Sequence, residues 1–374
     1  MSLDIREVKT KADLKAFIYL PEKLHKGHER WVPPIYMDEW NYFDPKKNKP
    51  FTYCDTLRLL AFRDGACVGR VMGIINTRYN THRNEKTARF GFLETGKDPE
   101  TVHALLSRVE AWAKDKGMSR VVGPYGFSDQ DPEGFMIEGF ENGATIATYY
   151  NFDWMPALVE AEGYVKDVDY FVYKLDVPRE MPEFYKKIFE RAQKRGNFEV
   201  LEFKSKKEIK PWIHPILHLM NECYMLNNIY GYAPLEEKEM DDLAKKYMPV
   251  LNPRFAKAIL KDGEVVAFII AMPDMSAGIQ KSRGHLFPFG LFHILRAAKK
   301  TKQLDLLLGA VKEKYRGQGL DVMMGVKMIE SAQKAGLEIM DTHHELESNV
   351  KVRAEMERMG GKVYKKFRVF QKAL

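Results

Sequence analysis

Cysteine is scarce: Cys54, Cys67 and Cys223 are all that 374 residues contain. An odd count without metal-type spacing excludes a disulfide framework and a cysteine-built zinc site. It reads as the reduced thiols of a cytoplasmic protein. Long apolar runs are missing too. The longest, such as VVAFIIAM, fall far short of the ~20 residues that cross a bilayer, so no integral membrane contact is expected. The opening MSLDIREVKTKADLK holds no signal-peptide core. Charge of one sign is also lacking. Lys and Arg number 59 against 52 Asp and Glu, and the net +7 is spread without a basic tail. That mild basicity suits an anionic ligand and excludes nucleic acid as an expected partner.

What is present is an ordinary globular composition, 45% hydrophobic, 30% charged and 12% aromatic, which leaves little room for long disorder. The length fits about two domains, and the chain reads as an internal duplication. LRLLAF-RDG-ACVGRVMGIIN and FAKAIL-KDG-EVVAFIIAM are both strand, Asp-Gly turn, strand, at Asp64-Gly65 and Asp262-Gly263. In each half a helix then ends at a glycine and a strand follows: WMPALVEAEGY before KDVDYFVYKL, and EMERMGG before KVYKKFRVF. The hairpin glycine and the helix-ending glycine lie 98 residues apart in one half (Gly65 to Gly163) and 97 in the other (Gly263 to Gly360). The join falls at the proline-flanked DVPREMP, giving domains 1–178 and 179–374.

The most informative stretch runs from QLDLLLGAV through KEKYRGQGLD to Gly336. It reads as buried strand, glycine loop and amphipathic helix. Gly317 and Gly319 let successive N–H groups point into one concavity at a helix N-terminus, and Lys314 and Arg316 add positive charge: a phosphate cradle. A dinucleotide fold would want glycine at Val322, and a Walker loop would want Lys-Ser/Thr after Gly319, where Leu320 and Asp321 stand. The first half has no such loop. Its strand RFGFLET runs through Gly96, Asp98 and Pro99 straight into a helix, and Asp98 and Glu100 there repel a diphosphate.

Lys314-Tyr315-Arg316-Gly317-Gln318-Gly319 resembles the Gln/Arg-x-x-Gly-x-Gly/Ala loop of the GNAT (GCN5-related N-acetyltransferase) superfamily. Asn349, the helix-like VKVRAEMERM, Gly360-Gly361 and the strand-like KVYKKFRVF resemble its closing segment. Gly123–Tyr150 with YNFDWMPALVEAEGY resembles a poorly characterised bacterial group of tandem GNAT-like proteins. The resemblance implies an α/β layered fold: two GNAT-like domains in tandem, each a mixed, mostly antiparallel sheet flanked by helices. It implies an acyl-CoA-dependent N-acyltransferase acting on a small-molecule or peptide amine. Acetyl-CoA or another acyl-CoA is the expected co-substrate, held in the C-terminal domain. Gly309 and Val311 would offer backbone groups to pantetheine and thioester, the N–H groups of Tyr315 to Leu320 would hold the pyrophosphate, and Asn349 would contact CoA. The family's leaving-group tyrosine falls at Met356, which has no proton to give.

General-base candidates lie in MDTHHELESN: His343, His344, Glu345 and Glu347, with His344 and Glu347 the favoured pair. On a continuing strand, neighbours His343 and His344 would face opposite ways. Tyr230 and Tyr232 are candidates to line the acceptor pocket. No third ligand accompanies the histidines, so no metal is expected. In Gly123–Tyr150, which as a long loop could wall a substrate cleft, Asp129, Asp131 and Glu133 could attract a cationic amine, but they read rather as solvated acids. RGHLFPFGLFHILRAAKK, with Pro288 and Gly290 interrupting it, reads as an insertion packed on the body rather than an interfacial helix. Two other classes fit this fold: a catalytically silent ligand-binding module, which Met356 favours, and an aminoacyl-tRNA-dependent transferase, which the cradle disfavours.

Overall fold

The structure, a computed structural model, describes residues 2–145, 148–227 and 229–374. Ile146 and Ala147 of the Gly123–Tyr150 segment, and Asn228 near Tyr230, lie outside the described residues. The first half supplies β1 (Leu3–Glu7), β2 (Cys54–Arg63), β3 (Ala66–Asn76), β4 (Thr87–Thr95), β5 (Arg120–Gly123), β6 (Phe135–Glu138) and β7 (Val165–Asp176). The second supplies β8 (Glu199–Glu202), β9 (Ala256–Lys261), β10 (Glu264–Pro273), β11 (Gln303–Val311), β12 (Ile339–Asp341), β13 (Glu345–Leu346) and β14 (Lys362–Ala373). The first half's helices are α1 (Lys11–Leu24), α2 (Tyr36–Tyr42), α3 (Thr77–Arg83), α4 (Pro99–Asp115) and α5 (Met155–Ala161). Then come α6 (Glu183–Gly196), α7 (Lys206–Ile209), α8 (Ile213–Leu226), α9 (Glu237–Tyr247), α10 (Ser276–Ser282), α11 (Gly290–Lys300), α12 (Leu320–Lys334) and α13 (Val350–Arg358).

Both Asp-Gly dipeptides turn hairpins, β2–β3 and β9–β10. Asp64 and Gly65 take φ of 50° and 78°, and Asp262 and Gly263 take 53° and 80°. Two consecutive positive φ values give the turn whose twist matches paired strands. The hairpins share a defect as well. Pairing skips Val68 in β3 and Val266 in β10, each the third residue past its glycine. A bulge at the same place in both copies supports the duplication.

The sheet runs β1-β2-β3-β4-β5-β14-β7-β12-β11-β10-β9-β8. The halves therefore exchange their last strands. β14, the end of the chain, pairs with β5 of the first half, and β7, the end of the first half, pairs with β12 of the second. The two exchanged strands pair with each other along their length. Phe370 of β14 consequently packs in the first half's core with Leu105, Val109 and Phe135. Tyr173 and Leu175 of β7 pack in the second half's core with Leu304, Met328 and Met340.

Each half contains one parallel pair that closes for three residues and then splays. In the first, Thr87–Arg89 pair with Arg120–Val122; in the second, Gln303–Asp305 pair with Ile339–Asp341. The first wedge is filled. Tyr125 donates its N–H to Phe90 O, and a Cβ on Gly91 would lie 2.5 Å from Tyr125 O. The second wedge stays open beside Leu306–Val311.

Candidate functional site

The open wedge leads into a cavity of about 1300 Å³ that spans both halves. Ordinary small-molecule sites measure roughly 300–1,000 Å³. Leu306–Val311 form one wall, with α8 (Leu217, Cys223, Tyr224), α12 (Met324, Met328, Ile329) and α13 (Met356, Met359) around them. The far wall belongs to the first half and carries Asp129, Glu133 and Tyr170. The lining is predominantly apolar with few polar groups, the composition of a site for a ligand with a long apolar part.

At one end lies the glycine loop. Gly317 and Gly319 have φ of 73° and 86°, and Gly319 is the N-cap of α12. The N–H groups of Gly317, Gly319 and Leu320 meet no backbone acceptor among the described residues. Helix geometry leaves those of the first turn free as well. Nothing lies within 4 Å of where a Gly317 Cβ would be, so the bend is open rather than plugged. A Gly319 Cβ would lie 3.1 Å from Ile188 and 3.3 Å from Ala192, because α6 packs directly behind it. Arg316 is pinned by Nε to Val311 O at 3.2 Å and by a guanidinium N–H to Asn227 Oδ1 at 2.8 Å. Gln318 donates to Lys314 O at 3.0 Å, and the Lys314 ammonium rides over the Tyr315 ring. With exposed Lys314 and Arg316 in the loop itself, the bend has the donors and the field for a diphosphate.

The corresponding helix start in the first half is self-occupied. Asp98 caps α4 by accepting from Thr101 N, and Arg63 pairs with both Asp98 and Glu100 at 2.9 and 2.8 Å. Its own carboxylates hold the place an anion would take.

The chemistry-bearing side chains sit where the wedge opens. β12 stops at Asp341, and His343 takes φ of 58°. The strand does not continue, so the alternation of a continuing strand does not apply, and His343 and His344 both line the cavity. His344 packs on Tyr170 and Phe367, with Nδ1 3.7 Å from Glu133. Burial lowers His343 to about 4 and His344 to about 3 against the pull of the Asp341 carboxylate, so both imidazoles are neutral. His343 Nδ1, His344 Nε2 and Asp129 Oδ1 are buried without a hydrogen-bond partner among the described residues. Burial raises Glu345 to about 8 against the bond from Asn349 Nδ2 at 3.4 Å. Burial likewise raises Glu133 to about 8, although the Tyr125 and Tyr170 hydroxyls oppose it.

Asp129, Asp131 and Glu133 are therefore not the solvated acids that their sequence suggested. Tyr42 OH and Phe127 N both donate to the Asp131 carboxylate at 2.8 and 2.7 Å, and Tyr170 OH donates to Glu133 at 3.0 Å. Burial, then the charges of Glu133 and Asp131, hold the Asp129 carboxyl well above its usual range. Only the folding of the Gly123–Tyr150 segment across the join brings these acids here, and no local pattern signals it.

Of the residues singled out from sequence, Gly309, Val311, Tyr315, Arg316, Gly317, Asn349, His344 and Tyr230 line the one cavity. Lys314, Gln318, Gly319 and Leu320 complete the loop behind it. Two candidates lie apart. Glu347 bonds Lys166 at 2.6 Å and Asp169 N at 3.2 Å outside the cavity lining. Tyr232 is buried with its hydroxyl on Asn221. Sequence reading also passed over His214 and His218, one turn apart on α8. With Glu237 they form a group of metal-type spacing on the outer surface, where His214 bonds Glu237 and Asp241 at 2.8 and 3.0 Å. None of the three lines the cavity.

This fold is that of tandem GNAT proteins. The chain superposes over its whole length on a tandem GNAT protein from the clavulanic acid biosynthesis pathway, at TM-score 0.56 and 11% identity, covering 98% of that structure. A GCN5-related N-acetyltransferase from Sphaerobacter thermophilus gives 0.54 at 12% identity, over 99% of this chain and 95% of that one. No family model matches the sequence. Two curated sequences are similar end to end. The bacterial ceramide synthase of Caulobacter vibrioides is 29% identical over all of this chain and 98% of its own length. Protein YghO of Escherichia coli is 23% identical over 99% of this chain and 95% of its own.

Proposed function

We propose that this protein is an acyl-CoA-dependent N-acyltransferase whose acceptor is a long-chain amino alcohol of the sphingoid class. The observation that carries the reading is one of continuity. An anion cradle, a splayed strand edge, buried carboxyl groups near neutral pKa and a large apolar chamber all open onto one another. Ceramide is the amide of a fatty acid with a long-chain amino alcohol, so likeness to a ceramide synthase suggests the chemical class of both substrates. The size and apolar lining of the chamber suit two such chains.

Acyl-CoA supplies an acyl group activated as a thioester. The N–H groups of Gly317, Gly319 and Leu320, with Arg316 and Lys314, hold its diphosphate. The edge of Gly309–Val311 opposite β10 lies along the arm that follows, its Val311 O already taken by Arg316 Nε. Asn349, the N-cap residue of α13, fixes Glu345. Glu345, rather than the Glu347 or His344 favoured from sequence, takes the proton of the attacking amine. A base with pKa near the working pH is the effective one, and an imidazole titrating near 3 is a poor acceptor. Glu133 and Asp129, held neutral by burial, offer the acceptor's polar head hydrogen-bonding oxygens among the apolar walls. Met356 lines the same space and donates nothing. Tyr224, a cavity phenol against the Gly309 backbone, stands in as proton donor to the leaving sulfur.

The test is turnover. Purified protein is incubated with acetyl-CoA or palmitoyl-CoA and either sphinganine or ethanolamine, while free thiol and amide are followed by absorbance and mass spectrometry. Thiol release with palmitoyl-CoA and sphinganine, well above that with the short partners, is the expected result. Tight acyl-CoA binding without thiol release for any pair would instead make the chain a silent binding module.

A further inference from the structure

α11 and the turn before it present an apolar surface that the cavity does not explain. Phe287, Phe289 and Phe292 are 76%, 69% and 62% exposed, and Leu291 and Leu295 are more than two-fifths exposed. Isolated exposed apolar residues need no account, but a contiguous set marks a contact surface. The sequence expectation of an insertion packed on the body holds for one face only. Ile294 packs inward on Met272, Met275 and Ile279, while the aromatic face covers nothing among the described residues. Pro288 and Gly290 do not interrupt the helical face; they precede it, with α11 starting at Gly290.

Charge supplies the second observation. From Ser276 to Leu304 there are six lysines and arginines and no carboxylate, so this stretch contributes +6 where the whole chain nets +7. Lys281, Arg283, Arg296, Lys299 and Lys300 are all exposed. In the helix Arg296 and Lys299 follow Phe292 and Leu295 by one turn on the same face, so the cations edge the aromatic surface.

We propose that this face docks the protein onto an anionic lipid bilayer, with the aromatic side chains in the interface and the lysines and arginines against lipid phosphates. An interfacial helix needs an apolar face and a basic border, and both are here. A second copy of the chain fits less well, because an isologous contact would set one +6 stretch against another. The docked face also sits over the chamber. Tyr247 and Leu307 pack in the same cluster as Ile294, and both line the cavity. Bilayer docking thus places the apolar chamber within reach of membrane-borne chains, although the docking itself does not rest on the acyl-transfer reading.

The test uses the full chain without substrate. Co-sedimentation with phosphatidylcholine vesicles is compared with vesicles that also contain phosphatidylglycerol. At low salt, binding roughly tenfold stronger to the anionic vesicles is expected, falling as salt rises. The double substitution Phe289→Ser, Phe292→Ser abolishes it. The triple substitution Arg296→Gln, Lys299→Gln, Lys300→Gln reduces it to the phosphatidylcholine level. All five positions are exposed, and unchanged thermal melts verify that the variants fold. Absence of vesicle binding by the parent protein, or equal binding by parent and variants, overturns the proposal. So does a dimer in light scattering that the phenylalanine substitutions disperse, since the face would then belong to a second copy.

Discussion

Asp305 and Asp341 face each other as cross-strand partners at the point where β11 and β12 part, and both are fully buried. Tyr364 OH and His343 N serve Asp341, and Gln303 Nε2 serves one oxygen of Asp305 at 2.8 Å. The other oxygen of Asp305 has no partner among the described residues. Burial, and then the Asp341 charge, hold the Asp305 carboxyl well above its ordinary value of 3.8. Two carboxylates in one dry site cannot both ionise cheaply.

The sign of the consequence follows from proton counts. Above pH 3.8 the folded chain keeps a proton on Asp305 that the unfolded chain has lost, so stability falls as pH rises toward the folded titration. One such group steepens the curve by at most ~1.4 kcal/mol per pH unit. His343 and His344 act oppositely. Their folded values near 4 and 3 lie below the ordinary 6.5, so their stability is complete above pH 6.5 and is lost as pH falls through those values. In urea titrations Asp305→Asn should remove one proton's share of that fall, so that the variant loses less stability than the parent as pH rises above 3.8. An unchanged slope would mean that Asp305 does not carry the extra proton.

Glu345 gives the corresponding prediction for rate. Its carboxyl titrates near 8 and works as a base only when ionised, so acyl transfer should rise with pH through that value. Glu345→Gln should lower kcat by about 10²–10⁴ and remove the limb. Glu347→Gln should leave both nearly unchanged, since Glu347 is tied to Lys166 outside the chamber. The reverse ranking would return the base to Glu347.

The two loop glycines should differ in a diagnostic way. Gly317→Ala meets open space and suffers only the left-handed backbone penalty of roughly 1–2 kcal/mol. Gly319→Val brings a branched side chain to a positive φ and drives it against Ile188 and Ala192. Titration calorimetry should show acyl-CoA affinity falling at least tenfold for Gly319→Val, on the order of 1.4 kcal/mol or more. Gly317→Ala should lose several-fold less. Equal losses would imply that the close approach of α6 does not shape the cradle.

How much of this was legible in the sequence depends on how local each feature is. Asp64-Gly65 and Asp262-Gly263 declare their hairpins because turn chemistry is decided within four residues. Lys314–Leu320 declares its loop because two glycines between an apolar strand and an amphipathic helix leave the backbone few alternatives. The partner of a strand is not written in its own period. β7 and β14 are both twelve residues long with similar alternation, and nothing in VKDVDYFVYKLD or KVYKKFRVFQKA says whether each stays with its own half. The burial of Asp129 and Glu133 was hidden for the same reason, because their surroundings come from Tyr170 and His344 on distant segments. Whether His343 and His344 share one cleft was not legible, because it turns on a single left-handed residue that ends the strand.

The exchanged strands should make the protein unfold as a unit. Arg368 of β14 grips Asp169 of β7 through two N–H···O bonds of 2.8 and 3.0 Å. Although burial opposes ionisation there, Arg368 and Lys166 hold the Asp169 carboxyl below its ordinary range. Phe370, though near the C-terminus, is fully buried in the first half's core, so Phe370→Ala should cost ~3–5 kcal/mol there. The loss should not stay there. Removing β14 from between β5 and β7 uncouples β7, and Tyr173 and Leu175 of β7 are core residues of the second half. Hydrogen exchange on Phe370→Ala should show the β2–β3 and β9–β10 hairpins losing protection together. Separately expressed 1–178 and 179–374 should fail to melt cooperatively. Undiminished protection of β9–β10 in the variant, or a stable fragment 1–178, would show that each half can stand on the strands it encodes itself.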